Sequence, residues 1–129
     1  MASQAKKIAQ PNERGAIGRQ GEDLAAAFLQ KEGFRIIARN WRCRAGEIDL
    51  IAQRDLELRF VEVKTRRGMD FGYPEESVTY AKRQHLVRAL EYWLQQHPSP
   101  GISCQIDVLS VLLTTQPPTI DWLQNISLS

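Results

Sequence analysis

Two short stretches hold the residue types that could do chemistry: Gly46-Glu47-Ile48-Asp49-Leu50-Ile51 and, a few residues on, Phe60-Val61-Glu62-Val63-Lys64. Each reads as a β-strand. Side chains alternate faces along a strand, so Glu47 and Asp49 share one face with Ile51, and Glu62 and Lys64 share one with Phe60. If the polar turn Arg54-Asp55-Leu56-Glu57 closes symmetrically between Asp55 and Leu56, then Gln53 faces Leu58, Asp49 faces Glu62 and Glu47 faces Lys64. Directly opposed side chains have Cβ atoms roughly 4.5–5.5 Å apart, and two like charges there repel unless something cationic lies between them. Two carboxylates at that spacing suit a hard divalent cation such as Mg²⁺, which takes oxygen ligands and keeps positions open for water and a phosphate oxygen. Lys64 could then orient or deprotonate an attacking water, or offset charge building up on phosphorus. The bland alternative is a solvated sheet face with cross-strand salt bridges, and each of these residues taken singly fits it better.

The elements that must position these residues can be read from periodicity. Ile17, Gly21, Leu24, Ala25, Phe28 and Leu29 recur at helical spacing up to Gly33, which predicts an amphipathic helix over Ala16–Glu32. On that helix Glu22 lies at the border of the apolar stripe beside Leu29, where it can add a third carboxylate, while Arg19 and Asp23 face water. Strands are expected over Phe34–Trp41, Glu47–Ala52 and Leu58–Thr65, the first two joined by a turn at Arg44-Ala45-Gly46. Arg66–Pro74, with Gly68, Gly72 and Pro74, reads as a mobile loop that presents Phe71 and Tyr73.

A second helix is expected from about Thr79 to Gln96, with Val78, Leu86, Ala89, Leu90, Trp93 and Leu94 on one face and a stop at Pro98. Lys82 lies on that apolar line, where an ammonium needs an anionic partner or must snorkel to solvent. Ile102–Leu113 reads as a centrally buried strand. In the tail, Ile120, Trp122, Leu123 and Ile126 are expected to cover one edge of the core. The order is αβββαβ, an α/β (α+β) arrangement with a mixed sheet flanked by helices.

The 129 residues, 43% hydrophobic and 25% charged, suit one compact domain, taken as residues 15–129 after a loose polar tail at 1–14. The densest apolar run, Val108 to Leu113, is too short to span a bilayer, and the start has no apolar block of a secretory signal, so the expectation is a cytoplasmic protein with no membrane partner. Cys43 and Cys104 are too few for a disulfide scaffold and lack zinc-ligand spacing. The net charge of +2 is modest, but nine basic residues face five acidic ones between Arg35 and Arg67, and twelve of the seventeen basic residues are Arg, whose planar fork suits phosphate. That balance argues against tight solitary binding of a polyanion and for a partner or a homodimer.

An Asp on one strand and Glu-x-Lys on its antiparallel neighbour, with a helical Glu before and a helix and strand after, resembles the PD-(D/E)xK nuclease superfamily. Within it, Gly18-Arg19-Gln20-Gly21-Glu22, Gly46-Glu47-Ile48-Asp49-Leu50-Ile51, Phe60-Val61-Glu62-Val63-Lys64-Thr65-Arg66, Ser77-Val78-Thr79 with Lys82, and Ile106-Asp107-Val108 resemble the YraN-like bacterial proteins, a small family related in fold to archaeal Holliday-junction resolvases. The resemblance runs from about Gly18 to Ile126. It implies a restriction-endonuclease-like fold and a metal-dependent endonuclease acting on DNA, with a preference for structured or branched substrate. Asp49, Glu62 and Glu22 are its implied metal ligands, with Glu47 as a further candidate, and Lys64 its catalytic lysine. Mg²⁺ is the implied cofactor, with Mn²⁺ as a substitute. Lys82, Arg44, Arg66, Arg67, Phe71 and Tyr73 are candidates for nucleic-acid contact, the last four because their loop starts where the strand carrying Glu62 and Lys64 ends. The rival readings are a nucleic-acid-binding module whose nuclease-like cleft is idle and an interaction protein with a salt-bridged sheet.

Overall fold

The computed structural model describes the backbone of residues 2–67 and 79–126, with side chains from residue 15 onward. Two helices and five strands follow in the order α1 (Ala2–Lys31), β1 (Arg35–Cys43), β2 (Gly46–Arg54), β3 (Glu57–Arg66), α2 (Tyr80–Gln96), β4 (Ser103–Leu112) and β5 (Thr119–Leu123). The strands form one mixed sheet in the order β1-β2-β3-β4-β5, antiparallel except for β3 and β4, which run parallel. A parallel neighbour needs a long crossover, and α2 lies within it. The αβββαβ order expected from periodicity holds, with two differences. The tail covers the core edge as expected, with Ile120, Trp122, Leu123 and Ile126 packed against it, but does so as a fifth strand, its Ile120, Asp121 and Trp122 pairing with Val111, Ser110 and Leu109. The first helix begins at Ala2 rather than Ala16, so the span expected as a loose tail falls within its bounds. Ala2, Gln4, Ala5, Lys6 and Lys7 are good helix formers with no apolar period, so periodicity could not reveal them.

Each face of the sheet has its own apolar cluster. Ala25, Ala26 and Leu29 of α1 pack with Phe34, Leu50, Ala52, Val61, Leu109 and Val111. On the other face Leu86, Ala89 and Trp93 of α2 pack with Ile48, Ile51, Leu58, Phe60, Ile106 and Val108. Coverage on both sides explains why β4 is a near-continuous apolar run. Helix α1 ends in a bonded turn in which the Phe34 and Gly33 N–H groups donate to the carbonyls of Leu29 and Gln30 at 2.9 and 3.0 Å, and Phe34 and Leu29 then share the core. Helix α2 starts at Thr79, whose hydroxyl accepts the Lys82 N–H at 3.2 Å. Among the described residues no helix is long and apolar enough to cross a membrane.

Gly21 sets how closely α1 approaches the sheet. A Cβ there would stand 1.8 Å from Thr65 Oγ1 and 2.8 Å from Thr65 Cβ, so only glycine lets the helix lie against β3 at this point. The approach brings Glu22 beside the end of β3 that carries Lys64.

Candidate functional site

The hairpin of β2 and β3 keeps the expected register from Arg54↔Glu57 through Gln53↔Leu58 to Leu50↔Val61, where the Cα pairing stops. On the other side the β1–β2 ladder keeps its register but has no pair at Asp49. The β1–β2 partners pass from Arg39↔Leu50 to Trp41↔Ile48, skipping Asn40 and Asp49, and Asn40 has φ 51°. Plain alternation would place Ile48 with Leu50 and Ala52, yet Ile48 packs with Ile51 on the α2 side while Leu50 and Ala52 face α1. The alternation that would align Glu47, Asp49 and Ile51 on one face is therefore interrupted at Asp49. The Asp49 carboxylate instead accepts the Val63 N–H at 2.8 Å, a side chain standing in for a ladder bond between β2 and β3.

This placement has an electrostatic consequence. Burial, and then the neighbouring charge of Glu62, push the Asp49 carboxyl up from the ordinary 3.8 to about 7. The Val63 N–H works against that rise, and the charge of Glu22 and a hydrogen bond with the Glu62 side chain add to it. Asp49 thus feels the charges of both Glu62 and Glu22. Glu62 is almost fully buried and has two ammonium neighbours. Lys82 Nζ lies 3.0 Å and Lys64 Nζ 3.5 Å from Glu62 Oε2. Of the two outcomes expected for Lys82, an anionic partner or solvent, it has both: Glu62 pairs with it and its side chain is 41% exposed.

Gly46, Glu47, Asp49, Glu62, Lys82, His85 and Leu86 line a cleft of about 120 Å³ between the start of β2 and the first turns of α2. His85 is the member that sequence reasoning missed. It lies one helical turn from Lys82, and that spacing could have marked it. Gly46, at φ 144°, holds a conformation that suits glycine at the point where its backbone passes near His85.

Several expectations are corrected by the geometry. Glu47 does not pair with Lys64: it accepts Arg42 Nε at 2.7 Å, because the β1–β2 register sets Arg42 opposite Glu47 while the β2–β3 pairing stops at Leu50↔Val61. Arg66 does not present its side chain to solvent for a phosphate. It is only 7% exposed within the β3–β4 pairing, on the same strand face as Glu62 and Lys64. Arg67 is exposed, as expected of a contact residue. Arg44 is exposed too, and donates from Nε to Tyr92 Oη at 2.9 Å with its guanidinium over the ring. Phe71 and Tyr73 lie outside the described residues.

The donor chemistry fits a divalent cation at two carboxylates. Asp49 and Glu62 offer hard oxygen atoms, and the repulsion by Glu62 that adds to the burial-driven rise of the Asp49 pKa is what such a cation relieves. Among the described residues no group of three or more His, Cys, Asp and Glu could hold a metal, so Glu22 and Glu47 lie outside a ligand set in this geometry. Mg²⁺ commonly uses only one or two protein carboxylates and completes its shell with water and phosphate oxygens.

Comparison with known proteins locates the chain. A model of Uncharacterised protein family UPF0102 matches residues 21–111, a span that starts at the glycine against Thr65 and includes Glu22, Asp49, Glu62, Lys64 and Lys82. The chain is 49% identical over 125 residues to a UPF0102 protein of Nocardia farcinica, covering 96% of this chain and 98% of the relative. It is 50% identical over 104 residues to one from Streptomyces griseus (79% and 87% covered). Identity to one from Caldicellulosiruptor saccharolyticus is 41% over 105 residues (81% and 89% covered).

Proposed function

We propose that this chain, which belongs to Uncharacterised protein family UPF0102, is a metal-dependent phosphodiesterase that cuts DNA, the activity implied by its resemblance to PD-(D/E)xK nucleases. The observation that carries this reading is the opposed carboxyl pair of Asp49 and Glu62, with the Lys64 ammonium 3.5 Å from Glu62, at the edge of a cleft. Asp49 and Glu62 would hold Mg²⁺, or Mn²⁺ in its place. When bound, that ion would polarise a phosphoryl oxygen and lower the pKa of a coordinated water. Lys64, 30% exposed, is near enough to orient the attacking water and to stabilise negative charge on phosphorus. Arg67 and Arg44 lie on exposed surface where they can meet phosphates outside the chemical step.

One observation favours the second reading, a nucleic-acid-binding module with an idle cleft. Glu62 already has two ammonium groups, and no third ligand joins the carboxyl pair among the described residues. Cleavage of linear, nicked and branched DNA with Mg²⁺ or Mn²⁺, with Asp49→Ala as the control, separates the two. Metal-dependent cleavage that Asp49→Ala abolishes supports the enzyme. Binding without any Asp49-dependent cleavage supports the module.

A further inference from the structure

Glu62 is reached by two ammonium groups from different elements, and they are not equivalent. Lys64 sits two residues along the same strand, 3.5 Å away, and its side chain is 30% exposed. Lys82 comes from α2, sits closer at 3.0 Å, and is 41% exposed. It is also the third residue of its helix, counted from the Thr79 cap. The positive end of the helix dipole disfavours a cation in a first turn, and that turn contains no acidic residue to offset it. Lys82 therefore needs an external anion, and in this structure that anion is Glu62.

The Glu62 side chain is only 6% exposed, and Lys82 is part of the lining of the small cleft through which it is reached. A divalent cation seated on Glu62 Oε2 and an ammonium 3.0 Å from the same oxygen would repel each other at close range. One must give way. Lys82, on a long flexible stem at the exposed end of its helix, can swing outward without disturbing the strand; Lys64 is tied to β3.

We propose that Lys82 is an exchangeable counter-ion, occupying the cation position on Glu62 when the metal is absent and moving to the cleft mouth to bind a phosphate oxygen of the nucleic-acid strand when the metal enters. This rests on the reading of Asp49 and Glu62 as metal ligands. It makes the two ligands of the cleft help each other. Metal entry releases a phosphate-binding ammonium, and a phosphate that captures Lys82 vacates Glu62 for the metal, a coupling that must be equal in both directions.

The test measures Mn²⁺ binding by titration calorimetry to the full chain without nucleic acid, for the wild type, Lys82→Met and Lys82→Gln. Duplex DNA affinity is measured with and without Ca²⁺ as the supporting ion. Removing the competing ammonium should tighten Mn²⁺ binding by roughly fivefold to tenfold in both variants, within the ordinary range of coupling between sites. The wild type should bind duplex several-fold more tightly with Ca²⁺ than without it, and that ratio should fall towards one in the variants. Mn²⁺ binding that is unchanged or weaker in both variants, while the wild type binds Mn²⁺, overturns the exchange and leaves the metal site standing. A wild type that takes up no Mn²⁺ overturns both.

Discussion

Two aspartates of one sheet, Asp107 fully buried and Asp49 half-buried, have surroundings that differ in kind. Asp107 on β4 is fully inaccessible, yet its carboxylate accepts from Arg59 Nη1, Trp122 Nε1 and Gln105 Nε2, each at 2.9 Å, and from the Asn125 N–H at 2.8 Å. Arg59, 6% exposed, is held in turn by Glu57 at 2.6 Å and Gln124 at 3.0 Å. The charge is compensated on every side. Asp49 accepts one backbone N–H and looks at another carboxylate, and among the described residues it has no ion pair. Burial alone therefore marks neither function nor strain. A carboxylate whose ionisation is opposed by its neighbours is the one left with unused capacity for a cation.

The largest effect should come from breaking the compensated site. Asp107→Asn keeps the shape but leaves the Arg59 guanidinium without its buried counter-charge, and removing one partner of such a pair costs about 3–5 kcal/mol. Urea unfolding should show a loss of that size; a change below about 1 kcal/mol would mean that the network contributes little.

The same substitution at the other aspartate should act in the opposite direction. The native Asp49 pKa of about 7 lies above the ordinary 3.8, so between those values the folded chain keeps a proton that the unfolded chain has released. Linkage then makes its contribution to stability fall as pH rises from about 4 to 7 and stay low above that. Asp49→Asn removes this penalty. The variant should match the wild type near pH 4 and exceed it increasingly up to pH 8, by then by on the order of 1 kcal/mol, the scale of a like-charge cross-strand pair. Thermal melts of both proteins across that range check the sign, and an advantage that shrinks with rising pH would contradict it.

The smallest change in stability is expected at Lys64. It is partly exposed and Lys82 also serves Glu62, so Lys64→Met should move the unfolding free energy by no more than about 1 kcal/mol. Single-turnover cleavage should nonetheless fall by about 10² or more, comparable to losing one electrostatic stabiliser of a transition state, with DNA affinity little changed. Equal losses in rate and affinity would make Lys64 a binding residue.

How much of this could be read in advance follows the kind of order involved. The hairpin register was legible because a short polar turn and period-two alternation determine it, and Leu50↔Val61 pairs as expected. Lys82 was legible as a choice between an anionic partner and solvent, and it has both, with Glu62 at 3.0 Å and a side chain 41% exposed. The missing pair at Asn40 and Asp49 was not legible, because a non-glycine residue at positive φ leaves no periodic trace. β5 was missed because five residues that alternate between exposed and half-buried, just after two prolines, look like a loop until β4 supplies an edge to pair with. Arg66 was read as surface from its position at a strand end, although alternation from Glu62 and Lys64 already placed it on the α2 side.

If the Asp49–Glu62 pair, and not the compensated Asp107, takes the divalent cation, Mn²⁺ must stabilise the fold through Asp49. The most direct measurement is the shift in melting temperature on adding Mn²⁺ to the wild type and to Asp49→Asn at pH 8. A ligand that binds only the folded state raises the melting temperature with its concentration, so the wild type should be stabilised progressively and the variant should lose most of that response. Equal shifts in the two proteins, or none in the wild type, would contradict the account.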